Sequence, residues 1–256
     1  MIYGLYLSAT GVQANSYRQD VIANNIANAD TVGFKRHLAV FQERPTEAQA
    51  QGRSDLSDPM LENLGGGFLV SPTMLDTSQG EMETTGNNLD TAIFGKGYFA
   101  VDDNGQTKLT RDGEFMLDKD GNLILNNSQG NKVLNSEGKP IQLPGLLASN
   151  LQIDKSGQIN YQGQPLAQLG VFDVPDQSQL VKQGGNLFDY PNLAKSIKPS
   201  ESSELRSGFV ERANVDPTSE MTQLMETQRQ LEANANMIRY QDQSLTRLVN
   251  DVGKIG

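Results

Sequence analysis

The sequence contains no cysteine and a single histidine, His37. Without cysteine the chain forms neither a disulfide framework nor a thiolate metal site. With one histidine, zinc centres and histidine-based catalytic triads are nearly excluded. His37 adjoins Lys35 and Arg36 with no partner arrangement in the sequence, which favours a surface or interface histidine. We therefore expect no metal and no cofactor.

Apolar residues are also sparse. They make up 36% of the chain, and the mean hydropathy is −0.49. This predicts a modest core plus segments that become buried only against partners. No run approaches the roughly 18 apolar residues that suggest a membrane helix. The first basic residue is Arg18, so the charged start of a cleaved signal peptide is missing. We expect no membrane insertion and a mature protein that keeps its N-terminus.

Positive charge is in deficit. The formal net charge is −10, whereas non-specific nucleic-acid binding needs a basic surface. The many carboxylates leave open a hydrolase with two catalytic acids in a concave pocket. Residues 118–122 resemble the start of a calcium loop, but Gly121 directly follows the second Asp, and Gln129 occupies the twelfth position. That spacing favours a hairpin turn. Gly95-Lys96-Gly97 lacks phosphate-loop spacing and favours a turn into a strand.

The two ends of the chain have helical periodicity. Residues 2–28 favour a helix whose apolar stripe begins with Ile2, Leu5, Ala9 and Val12. Asp216-Pro217 is typical of a helix start, and a helix over 217–252 would be about 54 Å long. Heptad stepping through it gives Met221, Leu224, Gln228, Leu231, Ala235, Ile238, Asp242, Leu245, Val249 and Val252.

The sequence pattern in the middle of the chain indicates short strands joined by turns. Turn dipeptides at Asn104-Gly105, Asp120-Gly121, Glu137-Gly138 and Ser156-Gly157 recur between apolar runs. Asn-Gly and Asp-Gly are favoured in hairpins because both residues tolerate a positive φ. This spacing predicts an antiparallel β domain. Residues 175–205 are polar and contain proline, which favours a loop.

The predicted fold class is α+β. The terminal helices form a coiled-coil-like pair, and an antiparallel all-β domain is inserted between them. The expected segments are an N-terminal helix and exit (1–44), an extended linker (45–67), the β domain (68–205) and a C-terminal helix (206–256). The long second helix needs another helix to pack on, and residues 2–28 are the other candidate. The narrow apolar stripes serve either as an intramolecular core or as a seam between subunits, and helix length favours the seam.

Several motifs resemble one known family. Ala23-Asn24-Asn25-Ile26-Ala27-Asn28 followed by Thr31-Val32-Gly33-Phe34-Lys35 is similar to the N-terminal signature ANNxANxxTxGFK of the bacterial flagellar axial proteins, the rod and hook subunits. The central and C-terminal motifs resemble the same family: Gly86-Asn87-Asn88-Leu89-Asp90, Gly95-Lys96-Gly97-Tyr98-Phe99, Leu109-Thr110-Arg111-Asp112-Gly113, Gly208-Phe209-Val210-Glu211, Asn214-Val215-Asp216 and Met225-Glu226-Thr227-Gln228-Arg229. These motifs span the chain in the family's order.

The resemblance implies a structural rod subunit without an active site. The terminal helices would form the inner tube of a helical assembly that transmits torque from motor to hook. The expected partners are copies of the chain, related rod and hook subunits, and the flagellar export apparatus. The expected location is the extracytoplasmic, periplasm-spanning rod of the basal body.

We expect an assembly interface and a hinge rather than a catalytic centre. The predicted interface consists of Leu5, Ala9, Val12, Asn24, Asn25, Asn28, Leu224, Leu231, Ile238 and Leu245. Gly33 and Phe34 are the predicted turn or hinge, since glycine permits the turn towards the β domain.

Alternatives remain open at this stage. The resemblance fits both proximal and distal rod types, and another hook-like axial subunit is a second possibility. An extracellular binding module that carries its β domain on a helical stalk is a third. Under this third hypothesis, residues 68–205 alone would be functional. The hypothesis does not explain the motifs at the two ends of the chain.

Overall fold

The computed structural model describes residues 2–45, 67–127, 129–143, 145, 150–191, 198–199 and 203–252. These residues form two compact units. The helix unit comprises the described residues of 1–27, 37–74 and 216–256, and the β unit those of 28–36 and 75–215. Of the predicted linker 45–67, residues 46–66 lie outside the described part.

The helix unit contains α1 (Ile2–Ala27) and α2 (Pro217–Val252), which pack against each other. The predicted start of α2 is confirmed: the Asp216 carboxylate accepts the Thr218 N–H, and Pro217 occupies the first turn. The unit also contains β1 (His37–Glu43) and β2 (Phe68–Leu75, whose last residue belongs to the β unit), which pair as a two-stranded sheet. Among the described residues, no helix is long and apolar enough to cross a membrane.

Aromatic contacts hold the two-stranded sheet against α1. The Tyr17 ring meets the Phe41 ring edge-on with centroids 6.2 Å apart, and the Arg18 guanidinium lies 5.2 Å from the Phe41 centroid. The Tyr17 hydroxyl also donates to the Ser71 carbonyl at 3.3 Å. Side chains of α1 on this side therefore fix both strands.

The β unit is built from short antiparallel strands. A nine-stranded sheet has the order β14-β15-β6-β5-β9-β8-β7, with β13 pairing β5 and β16. A three-stranded sheet has the order β10-β11-β12, and β17-β4 and β18-β3 form pairs. The strand bounds are β3 Met82–Thr84, β4 Thr91–Phe94, β5 Tyr98–Asp103, β6 Gln106–Thr110, β7 Phe115–Leu117, β8 Leu123–Leu125, β9 Lys132–Val133, β10 Leu151–Ile153, β11 Gln158–Tyr161, β12 Gln164–Gln168, β13 Val171–Asp173, β14 Val181–Gly184, β15 Leu187–Asp189, β16 Lys198–Pro199, β17 Glu204–Ser207 and β18 Phe209–Glu211.

The predicted turns are confirmed. Asn104 and Gly105 have φ values of 53° and 84°, as a two-residue hairpin between β5 and β6 requires. At residues 118–122 the Asp118 carboxylate accepts the N–H groups of Asp120 and Asn122, so it organises the β7–β8 hairpin. Gly95-Lys96-Gly97 leads into β5, as predicted.

One prediction about this region is wrong. The sequence predicts a loop over residues 175–205, but β14 and β15 lie there and pair with each other, and β15 pairs with β6. The sequence of β14 contains Lys, Gln and Gly, and this strand lies at the edge of the sheet, where pairing with β15 rather than the local sequence stabilises it. The strand β15 contains the buried pair Leu187 and Phe188 but has only three residues, which is too short for a recognisable alternating pattern.

The β unit is organised around a large apolar core. Phe99 and Phe115 meet at its centre, with ring centroids 5.0 Å apart and nearly perpendicular planes. The other core side chains include Leu89, Ile93, Val101, Leu123, Leu125, Val133, Leu151, Ile159, Leu169 and Leu205. The predicted fold class, paired helices with an inserted antiparallel β domain, is confirmed.

Candidate functional site

The two terminal helices run antiparallel, and three residue pairs define their common register. A Cβ placed on Gly4 would lie 2.7 Å from the Gln241 Nε2, and one on Gly11 would lie 2.7 Å from the Asn234 Nδ2. At the other end the Asn25 Nδ2 donates to the Glu220 carboxylate at 3.3 Å. Residue numbers rise along α1 as they fall along α2, and the two glycines allow the helices to approach closely.

The predicted interface residues of the helix stripes have unequal exposure. Leu5 and Val12 of α1 are half-buried, whereas Ala9 is exposed. On α2 all four predicted residues are half-buried: Leu224, Leu231, Ile238 and Leu245. This apolar row follows the residues that contact α1 at a spacing of four, and therefore lies on the same face of the helix.

The other half of the predicted heptad stripe lies mostly outside the contact between the two helices. Ala235 is half-buried, whereas Met221, Gln228, Asp242 and Val249 are exposed, Met221 and Val249 at 51% and 66%. The covered companion row lies one residue earlier and is entirely polar: Glu220, Thr227, Asn234 and Gln241. Heptad stepping selects apolar residues, but the glycines of α1 leave room for amide side chains instead.

Asn25, one of three asparagines near the end of α1, has a structural role within the chain. Its side chain is 1% exposed. The Asn25 Oδ1 accepts the His37 N–H at 2.9 Å, and the Asn25 Nδ2 donates to the His37 carbonyl at 2.9 Å. The amide thereby pairs with a backbone residue as a neighbouring strand would, and fixes the start of β1. Asn24 is exposed and Asn28 is half-buried.

We expect Asn25→Ala to destabilise the helix unit by about 2 kcal/mol, because it removes this partner from two half-buried backbone groups of His37 and from the buried Glu220 carboxylate. The matched control is Gln13→Ala, an exposed position on the same helix, which should change stability by less than about 0.5 kcal/mol. Hydrogen exchange at the β1 amides measures the difference. Equal protection in both variants would contradict this role for Asn25.

Gly33 and Phe34, the predicted hinge, lie in the β unit. Gly33 has φ +69°, and a Cβ there would lie 2.4 Å from the Asp112 backbone nitrogen, so no side chain fits. The Gly33 N–H donates to the Glu211 carbonyl at 2.7 Å. Phe34 is fully buried with Ala213 and Val215. Within this unit the segment is a tightly packed turn.

A buried ion cluster lies beside this turn. The Lys35 Nζ lies 2.6 Å from the Glu211 Oε1, and the Arg111 Nη1 lies 3.1 Å from the Glu211 Oε2. The Gly80 N–H donates to the same carboxylate at 2.9 Å. The three charged side chains are at most 4% exposed. Burial lowers the pKa of Lys35, while the Glu211 carboxylate opposes that shift.

Each member of this cluster comes from a different family motif. Lys35 ends the N-terminal signature, Arg111 belongs to Leu109–Gly113, and Glu211 ends Gly208–Glu211. Asn214, from a fourth motif, accepts the Arg36 N–H and donates to the Asp76 carbonyl. The sequence interpretation assigns none of these residues to a site. Their occurrence in motifs is the signal, and their structural role is to join segments far apart in the chain.

A second group of acids lies next to the cluster. Asp112 is 7% exposed, and its carboxylate accepts the Glu114 N–H at 3.1 Å. The pKa of Asp112 is raised to about 7, chiefly by burial; the hydrogen bond from the Glu114 N–H opposes this shift, and the nearby Glu114 and Asp90 carboxylates contribute to it. Within the described ranges no group of three or more acids and histidines is arranged to hold a metal ion.

Three family profiles match successive parts of the chain. "Flagella basal body rod protein" matches residues 5–35, "Flagellar hook protein FlgE/F/G D1 domain" matches residues 92–161, and "Flagellar basal body rod FlgEFG protein C-terminal" matches residues 206–251. The matched ranges contain the asparagine-rich helix end, the core strands of the β unit and α2 respectively.

Curated relatives align with nearly the whole chain. The flagellar basal-body rod protein FlgG of Bacillus subtilis (strain 168) is 32% identical, over 98% of this chain and 99% of that protein. FlgG of Caulobacter vibrioides is 33% identical, over 94% and 96%. The flagellar basal-body rod protein FlgF of Caulobacter vibrioides is 32% identical, over 92% of both chains.

Proposed function

The chain belongs to the flagellar basal-body rod protein family and is a rod subunit like FlgG and FlgF, and from this premise we propose that it self-assembles through its helix unit into a helical tube. The family is structural and not enzymatic, and its place is the basal-body rod. Membership implies assembly with rod subunits. We further propose that the tube transmits torque from motor to hook, and that the subunit leaves the cell through the flagellar export apparatus.

The distribution of exposed apolar side chains carries this proposal. In the described residues of the β unit, four large apolar side chains are exposed: Phe94, Met116, Leu166 and Val181. The helix unit exposes many more: Tyr6, Leu7, Leu38, Phe68, Leu69, Val70, Met74, Met221, Met225, Met237, Tyr240, Leu248 and Val249. Concentrated exposed apolar surface is characteristic of interaction sites. A heterologous contact that does not close into a ring builds a filament.

The predicted interface therefore divides into two proposed roles. Half-buried residues such as Leu231 and Ile238 stabilise the pair of helices within one subunit. Exposed residues such as Met237 and Tyr240, at 51% and 68% exposure, contact neighbouring subunits. The β unit, with its described residues of 28–36 and 75–215, is then the proposed outer domain of the tube, and it contains most of the predicted β domain 68–205.

We expect the double substitution Met237→Asp with Tyr240→Asp to abolish rod assembly and motility, because two charges enter the proposed subunit contact while the α1–α2 contact is untouched. The control is Gln228→Asp with Thr246→Asp, which adds the same charge at exposed polar positions on another side of α2. Electron microscopy of basal bodies and swimming assays give the readout, and circular dichroism checks folding. Wild-type rods from the Met237/Tyr240 variant would overturn the proposed interface.

A further inference from the structure

The contacts between α1 and α2 form a regular ladder. Its rungs are Gly4–Gln241, Gly11–Asn234 and Asn25–Glu220. Successive rungs are separated by one or two heptads on both helices. Thr227, which is 2% exposed, occupies the heptad position between Asn234 and Glu220. We propose that this glycine–amide ladder determines the register in which the two terminal helices pair, a property distinct from assembly itself.

The rungs are better suited to selecting a register than to stabilising the pair. Among the described residues the Gln241 Oε1 is buried without a hydrogen-bond partner, which is unfavourable. Each glycine within α1 costs about 1 kcal/mol relative to alanine. A polar residue at a helix seam is known to select register at the expense of stability. A purely apolar seam would hold the helices together without these two penalties.

Geometry explains how the glycines discriminate between registers. In the observed register a single added Cβ would already lie 2.7 Å from each amide nitrogen, which is closer than van der Waals contact. Sliding α1 by about one turn would place Asn234 opposite Leu7 or Asn15 instead of Gly11. The larger side chain then requires the helices to separate, and the separation removes contacts of the neighbouring apolar row.

A slip by one heptad is the more dangerous error, since it places Asn234 opposite Gly4 and preserves one glycine contact. The Asn25–Glu220 rung excludes this slip. Asn25 is bound to the His37 backbone through two hydrogen bonds. It would therefore stay in place if α2 shifted along α1. Glu220 is 1% exposed, and in the slipped register its carboxylate would lose the Asn25 amide.

Cysteine cross-linking tests the register because the chain has no cysteine of its own. The native pair is Gly11→Cys with Asn234→Cys. The control pair, Gly4→Cys with Asn234→Cys, reports the heptad slip and shares the α2 cysteine. In dilute, purified full-length protein under mild oxidation, we expect the native pair to form its intrachain disulfide at least about tenfold faster. Equal rates, or disulfides only between chains, would overturn the proposal.

A second arm separates register selection from general stability. Glu220→Leu in the control-pair background should raise the rate of the slipped disulfide several-fold, whereas Glu220→Gln keeps an oxygen that accepts from Asn25 and should leave it low. Gln241→Met, which removes the unpaired buried oxygen at nearly constant volume, should raise the melting temperature of the helix unit. If Glu220→Leu and Glu220→Gln gave the same slipped rate, the ladder would not set the register. These readouts use unassembled protein, so a failure of rod assembly leaves them unaffected.

Discussion

Glu211→Gln is expected to lower the stability of the β unit by about 3–5 kcal/mol, the range seen when one partner of a buried ion pair is removed. The substitution keeps the shape of the side chain but deprives Lys35 and Arg111, two buried cations, of the carboxylate that pairs with both. The carboxylate also accepts the Gly80 N–H, so one amide has to replace three charge-assisted or backbone interactions. For a unit of this size the melting temperature should fall by about 10 °C.

The matched control for this experiment is Glu83→Gln. Glu83 lies on β3, the strand that pairs with β18, and its carboxylate forms an exposed ion pair with Arg212 at 3.4 Å. Exposed pairs contribute about 0–1 kcal/mol, so this variant should unfold almost as the parent does. Urea unfolding followed by circular dichroism measures both. If Glu211→Gln were no more destabilising than Glu83→Gln, the cluster would not hold the motifs together.

Asp112→Asn is expected to stabilise the β unit at pH 8 and to remove much of its loss of stability above pH 4. In the folded protein the pKa of Asp112 is about 7, against an ordinary value of 3.8. Between these values the folded state binds more protons than the unfolded state, so the free energy of unfolding falls as pH rises through this window. Above pH 7 the penalty of the buried charge is complete, and a pKa difference of this size corresponds to about 4 kcal/mol.

The amide introduced by Asp112→Asn carries no charge at any pH, while its oxygen still accepts the Glu114 N–H. Urea unfolding at pH 5 and pH 8 measures the slope for the parent and the variant. Asp120→Asn, at an exposed turn position, is the control and should keep the parent's slope. An Asp112→Asn slope identical to the parent's would show that this carboxyl does not titrate with folding.

Local chemistry explains which parts of the fold were predictable. Asn104-Gly105 and Asp216-Pro217 act through their own backbone preferences, so the hairpin and the helix start follow from a few adjacent residues. The strand β14 escapes prediction because a sheet neighbour stabilises a largely polar sequence, and β15 escapes it because three residues are too few to show a strand pattern. The polar row from Glu220 to Gln241 escapes it for a related reason: Asn234 and Gln241 are covered because glycines lie opposite, and Glu220 because Asn25 does, all on a helix at the other end of the chain.

In the candidate site, too, contacts between distant segments could not be predicted from local sequence. Lys35, Arg111 and Glu211 stand in three separate motifs, and no single motif contains the information that they meet. Asn25 is predicted as an interface residue from its place in the signature, while its hydrogen bonds lie within the chain, to His37 and Glu220. A motif thus identifies important residues without distinguishing contacts within the subunit from contacts between subunits.

The way the chain is divided between its two units has a mechanical consequence. The main chain passes from one unit to the other at residues 27–28, 36–37, 74–75 and 215–216. A mechanical load between the units is therefore shared by four segments of main chain rather than carried by one. If one peptide bond at any of these crossings is broken, three covalent connections between the units remain. In the proposed role of transmitting torque, the load on each connection between the units is correspondingly smaller.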